Sequence, residues 1–290
     1  MIAAADLGGH TLTAGVVKDG AVAARKTVPT PPERTPEAVC SLLKNLLQDL
    51  GAGDAPLAMA VPSAVLKDGQ RLVNCPNLTG WNGLCAADLS RLLARPVFAA
   101  NDCDCAAAGE MQYGAARGLT DFLYCTLGTG VGGAVVVGGK LLRGSRGLAG
   151  ELGHFRLMDD SGCRCGGRGH LESFFSADVF EAAGESLGRG RDMKKLWQQR
   201  ESARLAPVFT KGMKALAAVL AGMTHLLDPE AIVLGGGLSR LEGLCADLED
   251  YMFPLLAPAY RPGPELRLAS LGGDAPLIGA AALMKASSAM

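Results

Sequence analysis

Apolar runs and glycine turns alternate at the start of the chain. Residues 2–28, IAAADLGGHTLTAGVVKDGAVAARKTV, contain two apolar runs joined by a glycine turn, then the tight turn Lys18-Asp19-Gly20 and an alternating run. This pattern predicts three antiparallel strands with a hairpin. The next segment, TPEAVCSLLKNLLQDLGAG, has Thr35 as a cap, Pro36 at the first helical position, apolar residues at helical spacing and a glycine stop. It predicts a helix.

The same order of elements begins again in the second half of the chain. Strands are predicted first at PLAMAV and PVFAAND, and DFLYCTLGTGVGGAVVVGGKLLRG (121–144) then repeats the pattern of strand, glycine turn and strand. A long helical pattern fills residues 206–227, the strand AIVLGGG follows, and LRLASLGGDAPLIGAAALMKAS closes with a strand and a helix. Two halves of this kind predict a duplicated α/β fold.

The duplication suggests two domains around a cleft, where a ligand is the default expectation. We expect a smaller N-terminal α/β domain over residues 1–103, with the C-terminal helix 275–290 packing back on it. A larger α/β domain is expected over residues 104–274, carrying the cysteine-rich loop.

The composition of the chain argues against several classes of function. The chain of 290 residues has 28 basic and 29 acidic residues, and no run of lysine and arginine suggests a nucleic-acid or membrane partner. No apolar stretch reaches the roughly 18 residues of a membrane span, and the N-terminus does not resemble a signal peptide. We therefore expect a soluble, cytoplasmic protein whose nine cysteines are reduced.

Three glycine-rich turns follow apolar strands, at DLGGHTLTAG (6–15), LGTGVGG (127–133) and LGGGLS (234–239). Each could present backbone N–H groups to an anion, although glycine hairpins are also common without function. None is a Walker loop or a dinucleotide-binding G-x-G-x-x-G motif. Asp6, at the end of the first strand, could hold Mg²⁺ through water or could cap the turn.

A short segment, GHFRLMDDSGCRCGGRGHLE, concentrates possible metal ligands. Cys163, Cys165, His154 and His170 offer two thiolates and two imidazoles, a donor set that zinc favours in a tetrahedron, although incidental cysteines are the alternative. Because protein would fill all four positions, the ion would be structural. A second C-x-C, in NDCDC, has no neighbouring histidine, and we expect its cysteines to serve packing.

Candidate acid–base residues lie in two further places. AANDCDC ends an apolar strand, and Asp102 could face a ligand there, but an Asn-Asp pair after a strand is more often a helix N-cap. Glu151 and His154 lie three apart and could converge on one ligand.

Six motifs carry a resemblance to a known family. In order along the chain they are DLGGHTLTAG, NCPNLTGW, NDCDCAAAGE, LGTGVGGAVVVGGKLLRGSRGLAGELGH, CRCGGRGHLE and DPEAIVLGGGLS. Their order and spacing resemble the ROK family of bacterial sugar kinases and sugar-responsive repressors, over essentially the whole chain. The resemblance implies the duplicated, ribonuclease H-like fold of the actin-like ATPases, which agrees with the repeated pattern.

The resemblance also implies roles for residues. Asp102 would be the general base on the sugar hydroxyl. The sugar-binding residues would be Asn77, Asn101, Asp102, Glu151, His154 and Glu172. ATP with Mg²⁺ would be bound by Asp6, Gly8, Gly9, Thr11, Gly128, Thr129, Gly130, Gly235, Gly236 and Gly237. Structural Zn²⁺ would be held by His154, Cys163, Cys165 and His170, with His170 standing where the family has a third cysteine.

The implied function is an ATP-dependent hexose kinase of carbohydrate metabolism. Glucose phosphorylated at the 6-hydroxyl, as in glycolysis, is the leading expectation, with an N-acetylhexosamine or fructose kinase as the alternative. A non-catalytic sugar-binding regulator is a further alternative, because His10 stands where the family usually has threonine. Family repressors carry an N-terminal helix-turn-helix, whereas the first strand here begins at Ile2, which favours a kinase. The resemblance also implies a homodimer or homotetramer.

Overall fold

The chain folds as two compact units. The computed structural model describes residues 1–288, so the last two residues of the helix predicted over 275–290 lie outside the described residues. One unit contains Met1–Gly118, Leu141–Ala149 and the chain from Ser270 onward, and the other contains Leu119–Lys140 and Gly150–Ala269.

The predicted strands and helices occur in the predicted order, with further short elements between them. The strands are β1 (Ile2–Leu7), β2 (Thr11–Lys18), β3 (Ala21–Pro29), β4 (Leu57–Val61), β5 (Ala64–Val65), β6 (Leu72–Val73), β7 (Val97–Asn101), β8 (Phe122–Leu127), β9 (Val131–Val137), β10 (Lys140–Leu141), β11 (Ala231–Gly235) and β12 (Glu265–Leu268). The helices are α1 (Pro36–Asp49), α2 (Ala86–Leu93), α3 (Asp102–Tyr113), α4 (Ala177–Ser186), α5 (Met193–Gln198), α6 (Ala206–Leu227), α7 (Leu244–Met252) and α8 (Ala275–Ser288).

The two main sheets have the same topology. In the first unit the strand order is β3-β2-β1-β4-β7, and in the second it is β10-β9-β8-β11-β12. In each sheet the first strand along the chain pairs antiparallel with the second and parallel with a later strand that follows a helix. This equivalence confirms the duplicated α/β fold that the sequence pattern predicts.

The predicted helix α1 forms as its sequence signals indicate. The Thr35 hydroxyl accepts a hydrogen bond from the Ala38 N–H, and Pro36 occupies the first helical position, where no intrahelical N–H is needed. Its apolar stripe, which includes Val39, Leu43 and Leu47, is buried in the core of the first unit. The stripe therefore anchors the helix on the sheet.

Helix α3 packs closely against α8. A Cβ on Gly279 would collide with the Cys105 carbonyl oxygen, and a Cβ on Gly109 would lie 2.6 Å from the Ala275 carbonyl oxygen. Small residues therefore let the two helices approach each other directly. Cys103 and Cys105 are buried within α3, in agreement with the packing role expected for the second C-x-C.

The division of the chain differs from the boundary expected after residue 103. Helix α3 spans that position and lies wholly in the first unit, because it packs against α8 of the same unit. The short segment Leu141–Ala149 also belongs to the first unit, where the Lys67 N–H donates to the Arg146 carbonyl (2.9 Å).

The structure also bears on the state of the cysteines and on membrane-spanning helices. All nine cysteines are free thiols in the structure. Within residues 1–288, none of the helices combines the length and apolar character needed to cross a bilayer.

Candidate active site

The first glycine turn, Gly8–Thr11, joins β1 to β2. The Gly8 N–H donates to the Thr11 carbonyl (2.8 Å), which closes the turn. Two hydrogen bonds from Thr30 hold this turn in place. The Thr30 hydroxyl donates to the Gly8 carbonyl (2.8 Å), and the Thr30 N–H donates to the His10 carbonyl (2.9 Å). The side chains of His10 and Thr11 are exposed to solvent. A Cβ on Gly9 would lie 3.4 Å from the Cβ of Asn77, so the exposed Asn77 stands beside the turn.

Asp6 and Asp102 form a carboxylate pair in the first unit. Asp6 lies near the end of β1, and Asp102 is the first residue of α3. Burial raises the pKa of Asp6 from 3.8 to about 7, and the negative charge of Asp102 acts in the same direction. Asp102 also accepts a hydrogen bond from the Cys103 N–H (2.8 Å), which orients one carboxylate oxygen. A carboxylate whose pKa is perturbed, as that of Asp6 is, marks a candidate functional site.

Asn101 forms the N-cap of α3. Its Oδ1 accepts hydrogen bonds from the N–H groups of Cys103 (2.8 Å) and Asp104 (3.1 Å), and its Nδ2 donates to the Ser63 carbonyl (3.2 Å). The cap is the role that the residues alone favoured. The Asn101 amide is thereby held at the start of the helix that carries Asp102.

Two further charged side chains near Asp102, to which no sequence motif assigned a role, form an ion pair. Asp104 is almost fully buried and forms an ion pair with Arg143 (3.3 Å between Oδ2 and Nε). Arg143 also donates to the Val65 carbonyl (3.1 Å), so it ties the segment Leu141–Ala149 to the first unit. The sequence contained one signal, a second aspartate within the apolar start of α3.

The second glycine turn, Gly128–Gly130, joins β8 to β9. The Gly128 N–H donates to the Gly130 carbonyl (2.9 Å), and the Thr129 side chain points into solvent. The carboxylate of Glu172 lies against this turn: its Oε2 accepts a hydrogen bond from the Val131 N–H (3.0 Å), and a Cβ on Gly130 would collide with the same oxygen.

The third glycine turn, Gly235–Gly237, lies at the end of the neighbouring strand β11. Gly236 has φ +81°, and a Cβ there would collide with the carbonyl oxygen of Leu127. Only glycine combines this backbone conformation with so close an approach. Because β8 and β11 are parallel neighbours, their carboxyl ends bring the second and third glycine turns together.

Glu151 and His154 converge as their spacing suggested. The His154 Nε2 lies 3.8 Å from the Glu151 carboxylate, and a 3-10 turn, Leu152–His154, places both on one side. Burial raises the pKa of Glu151, His154 acts in the opposite direction, and Glu172 raises it again. Thus two carboxylates and an imidazole gather beside the second glycine turn.

His154, Cys163, Cys165 and His170 form a compact group, hereafter the His/Cys cluster. One ligand atom from each of the four residues lies within 4.8 Å of every other. The Cys165 Sγ is 3.2 Å from the His170 Nδ1, and the two imidazole rings are 5.2 Å apart between centroids. The four donors predicted from the sequence are therefore brought together.

The donor set fits a metal ion. The His154 Nδ1 is buried without a hydrogen-bond partner, which is costly for a polar atom unless a cation or another group satisfies it. Burial and the neighbouring His154 lower the pKa of His170, which favours the neutral imidazole that metal binding requires. Two thiols and two imidazoles in this arrangement could hold a tetrahedral ion.

Comparisons with known proteins agree with this fold. The ROK family model matches residues 2–287. An N-acetylmannosamine kinase of Escherichia fergusonii is 34% identical over 289 residues, with 97% of each chain covered. A glucokinase of Streptomyces coelicolor is 31% identical over 308 residues, covering 97% of this chain and 96% of that one.

A solved structure shows the same similarity. The crystal structure of a ROK family glucokinase from Streptomyces griseus, in complex with glucose and AMPPNP, has a TM-score of 0.84 at 28% identity, covering 97% of this chain and 98% of that one. The fold and the paired glycine turns define the class of actin-like ATPases. Within that class, the chain belongs to the ROK family.

Proposed function

We propose that the chain is an ATP-dependent sugar kinase that transfers the γ-phosphoryl group of ATP to a hexose hydroxyl. The main support is Asp102, whose carboxylate stands at the start of α3 with Asp6 nearby, in a chain that belongs to the ROK family along nearly its whole length. Phosphoryl transfer to an alcohol needs a base at the hydroxyl and neutralisation of the charge around the γ-phosphate.

Each carboxylate of the pair has its own role in this proposal. Asp102 accepts the proton of the sugar hydroxyl as that oxygen attacks the γ-phosphorus. Asp6 would hold Mg²⁺, which would supply positive charge near the phosphates, since a hard cation takes carboxylate oxygen. Because the pKa of Asp6 is raised, Mg²⁺ would compete with a proton there.

The glycine turns supply backbone N–H groups to the nucleotide. Gly8, Gly9 and Thr11 of the first turn and Gly128, Thr129 and Gly130 of the second contact the phosphates in this proposal. Gly235, Gly236 and Gly237 lie near the adenosine. Backbone donors suit this task because they bring partial positive charge to an anion without a side chain in the way.

The sugar is held by side chains whose donors and acceptors complement its hydroxyl groups, each of which both donates and accepts a hydrogen bond. We assign this role to Asn77, Asn101, Glu151, His154 and Glu172, because carboxylates, amides and imidazoles match sugar hydroxyls. The His/Cys cluster holds a structural Zn²⁺ in this proposal. The His154 Nδ1, which is buried without a hydrogen-bond partner, would ligate the ion, and the Nε2 beside Glu151 would be left for a hydroxyl.

Glucose and N-acetylmannosamine are the two candidate sugars. The similarity to a glucokinase with bound glucose supports glucose, phosphorylated at the 6-hydroxyl. The 34% identity to an N-acetylmannosamine kinase supports the N-acetylhexosamine.

A steady-state assay of ADP release separates these candidates. We expect ATP and Mg²⁺ with glucose, N-acetylmannosamine, N-acetylglucosamine, fructose and allose to give one sugar with the highest kcat/KM, and we expect that sugar to be glucose. A higher value for N-acetylmannosamine would replace glucose as the substrate. If no sugar stimulated ADP release although a sugar bound in calorimetry, the chain would be a sugar-binding regulator instead.

A further inference from the structure

We propose that Glu172 is a positioning residue that couples the His/Cys cluster to the second glycine turn, so that metal binding at the cluster tightens nucleotide binding at the turn. The inference rests on the proposed function, because it assigns phosphate binding to that turn. It gives Glu172 a role separate from its assigned contact with sugar.

The Glu172 carboxylate touches both sites. Its Oε2 accepts the Val131 N–H (3.0 Å) and lies directly against Gly130, as the collision of a Cβ there shows. Its Oε1 lies 4.0 Å from the Cys163 Sγ, within reach of a thiol hydrogen bond. One rigid, planar group therefore contacts the turn through one oxygen and the cluster through the other.

The segment that carries Glu172 holds the turn from both ends. The Ala177 N–H, at the start of α4, donates to the Gly128 carbonyl (2.8 Å), while Glu172 holds the residue after Gly130. Between them Phe174 and Phe175 are buried, so the segment 172–177 is fixed in the core of the second unit. A shift of this segment would move both ends of the turn together.

The cluster in turn fixes where that segment begins. His170 is the N-cap of the 3-10 turn Leu171–Ser173, and its carbonyl accepts hydrogen bonds from the Ser173 hydroxyl (2.6 Å) and N–H (2.9 Å). A metal ion held by His170 would therefore restrain Glu172 through the chain, because it fixes the residue at which the 3-10 turn begins. Without the ion, this restraint loosens, and the N–H groups of the turn lose their alignment for phosphate.

The coupling is measurable without turnover. Calorimetric titration with AMPPNP, in the absence of sugar and at constant Mg²⁺, is carried out on metal-loaded protein and on protein treated with a chelator that prefers Zn²⁺ to Mg²⁺. We expect the Kd for AMPPNP to rise about tenfold when the metal is removed. Because coupling is reciprocal, AMPPNP should lower the Kd for Zn²⁺ by the same factor in chelator competition.

Variants at Glu172 separate coupling from general stabilisation. Glu172→Gln keeps an oxygen that can accept the Val131 N–H and should retain most of the tenfold effect. Glu172→Ala should bind AMPPNP about tenfold more weakly with metal present and show no further change when metal is removed. The matched control is Glu230→Ala, which removes a carboxylate that also accepts backbone N–H groups, from Thr120 (2.7 Å) and Asp121 (3.0 Å), at the opposite end of β8. It should keep the full coupling.

Circular dichroism at each metal state shows whether the protein stays folded. If the metal-free protein unfolds, the comparison of Glu172→Ala with Glu172→Gln at saturating Zn²⁺ still tests the role of Glu172. Equal Kd values for AMPPNP in metal-loaded and metal-free folded protein would overturn the inference while leaving the kinase proposal intact. Absence of any AMPPNP binding by folded, metal-loaded protein would instead overturn the kinase proposal.

Discussion

Burial of single side chains shifts the pKa of several groups in this chain. Asp6 is the clearest case, because loss of hydration and the charge of Asp102 raise its pKa to about 7. A carboxyl group with a raised folded-state pKa binds its proton more tightly in the folded protein than in the unfolded chain. Its ionisation therefore costs stability as the pH rises between 3.8 and about 7.

Replacement of Asp6 by asparagine tests this charge. At pH 4 both proteins carry a neutral side chain at this position, and their unfolding free energies should be similar. As the pH rises to 8 the parent loses stability relative to Asp6→Asn, by at most about 4 kcal/mol at 1.36 kcal/mol per pH unit. Urea unfolding at a series of pH values measures the difference. A parent that gained stability relative to Asp6→Asn over this range would contradict the raised pKa.

At the residue scale, the sequence indicates which side chains lie close together where they are near one another in the chain. The four members of the His/Cys cluster lie within a short segment, and their residue types alone indicated a metal site. In the structure, one ligand atom from each of the four residues lies within 4.8 Å of every other. The contact of Glu172 with Val131 escaped prediction because it joins residues far apart in the chain. Such a contact depends on how two elements pack and leaves no local pattern.

Elements were predictable where periodicity and caps agreed. Helix α6 has the bounds expected from its pattern, because a long apolar face and a proline in its first turn coincide. Helices α4 and α5 were not predicted, since they are short and the segment between them contains glycines and charges. The close approach of α3 and α8 was also beyond the sequence, because a glycine in a helix does not reveal what lies against it.

Two glycines in helices should respond oppositely to alanine. Gly279→Ala would force α3 and α8 apart, and we expect it to lower the unfolding free energy by about 1–3 kcal/mol or more. Gly222→Ala, in α6, meets no atom within 4 Å and should raise it by about 0.5–1 kcal/mol, since alanine restricts the unfolded chain and favours the helix. Chemical denaturation of both variants checks the contrast. Equal effects would contradict the close helix packing.

At the scale of the whole molecule, the chain leaves the first unit after Gly118, returns to it for Leu141–Ala149 and returns again at Ser270. Glu110 joins the segment before Gly118 to the segment that begins at Ser270. Its fully buried carboxylate accepts hydrogen bonds from the N–H groups of Ala115 (2.7 Å), Ser270 (3.1 Å) and Leu271 (2.9 Å), and from the Ser270 hydroxyl (3.2 Å). One side chain thus holds together segments that are about 160 residues apart.

Loss of this carboxylate should destabilise the first unit. Glu110→Ala removes the acceptor of these four hydrogen bonds, each worth about 0.5–1.5 kcal/mol, so we expect a loss of about 2–6 kcal/mol in unfolding free energy. Glu201→Ala is the control, because the Glu201 side chain is 89% exposed and its removal should change stability by less than about 0.5 kcal/mol. Thermal and urea unfolding measure both. Similar stabilities for the two variants would contradict the role of Glu110.

The duplicated architecture was predictable because each half repeats the same order of apolar runs and glycine turns, and both sheets show the corresponding strand order. The boundary between the units was not, because it depends on α3, α8 and the segment Leu141–Ala149 packing together from distant parts of the chain.

The central claim is that this chain transfers phosphate from ATP to a sugar and that Asp102 is the base. The most direct measurement is phosphorus NMR of the product formed with ATP, Mg²⁺ and the preferred sugar, followed over time for the parent, for Asp102→Asn and for the exposed control Asp68→Asn. We expect a hexose 6-phosphate with the parent and the control, and a rate about 10²–10⁴-fold lower with Asp102→Asn. A parental rate for Asp102→Asn, or no sugar phosphate from any hexose or N-acetylhexosamine, would contradict the account.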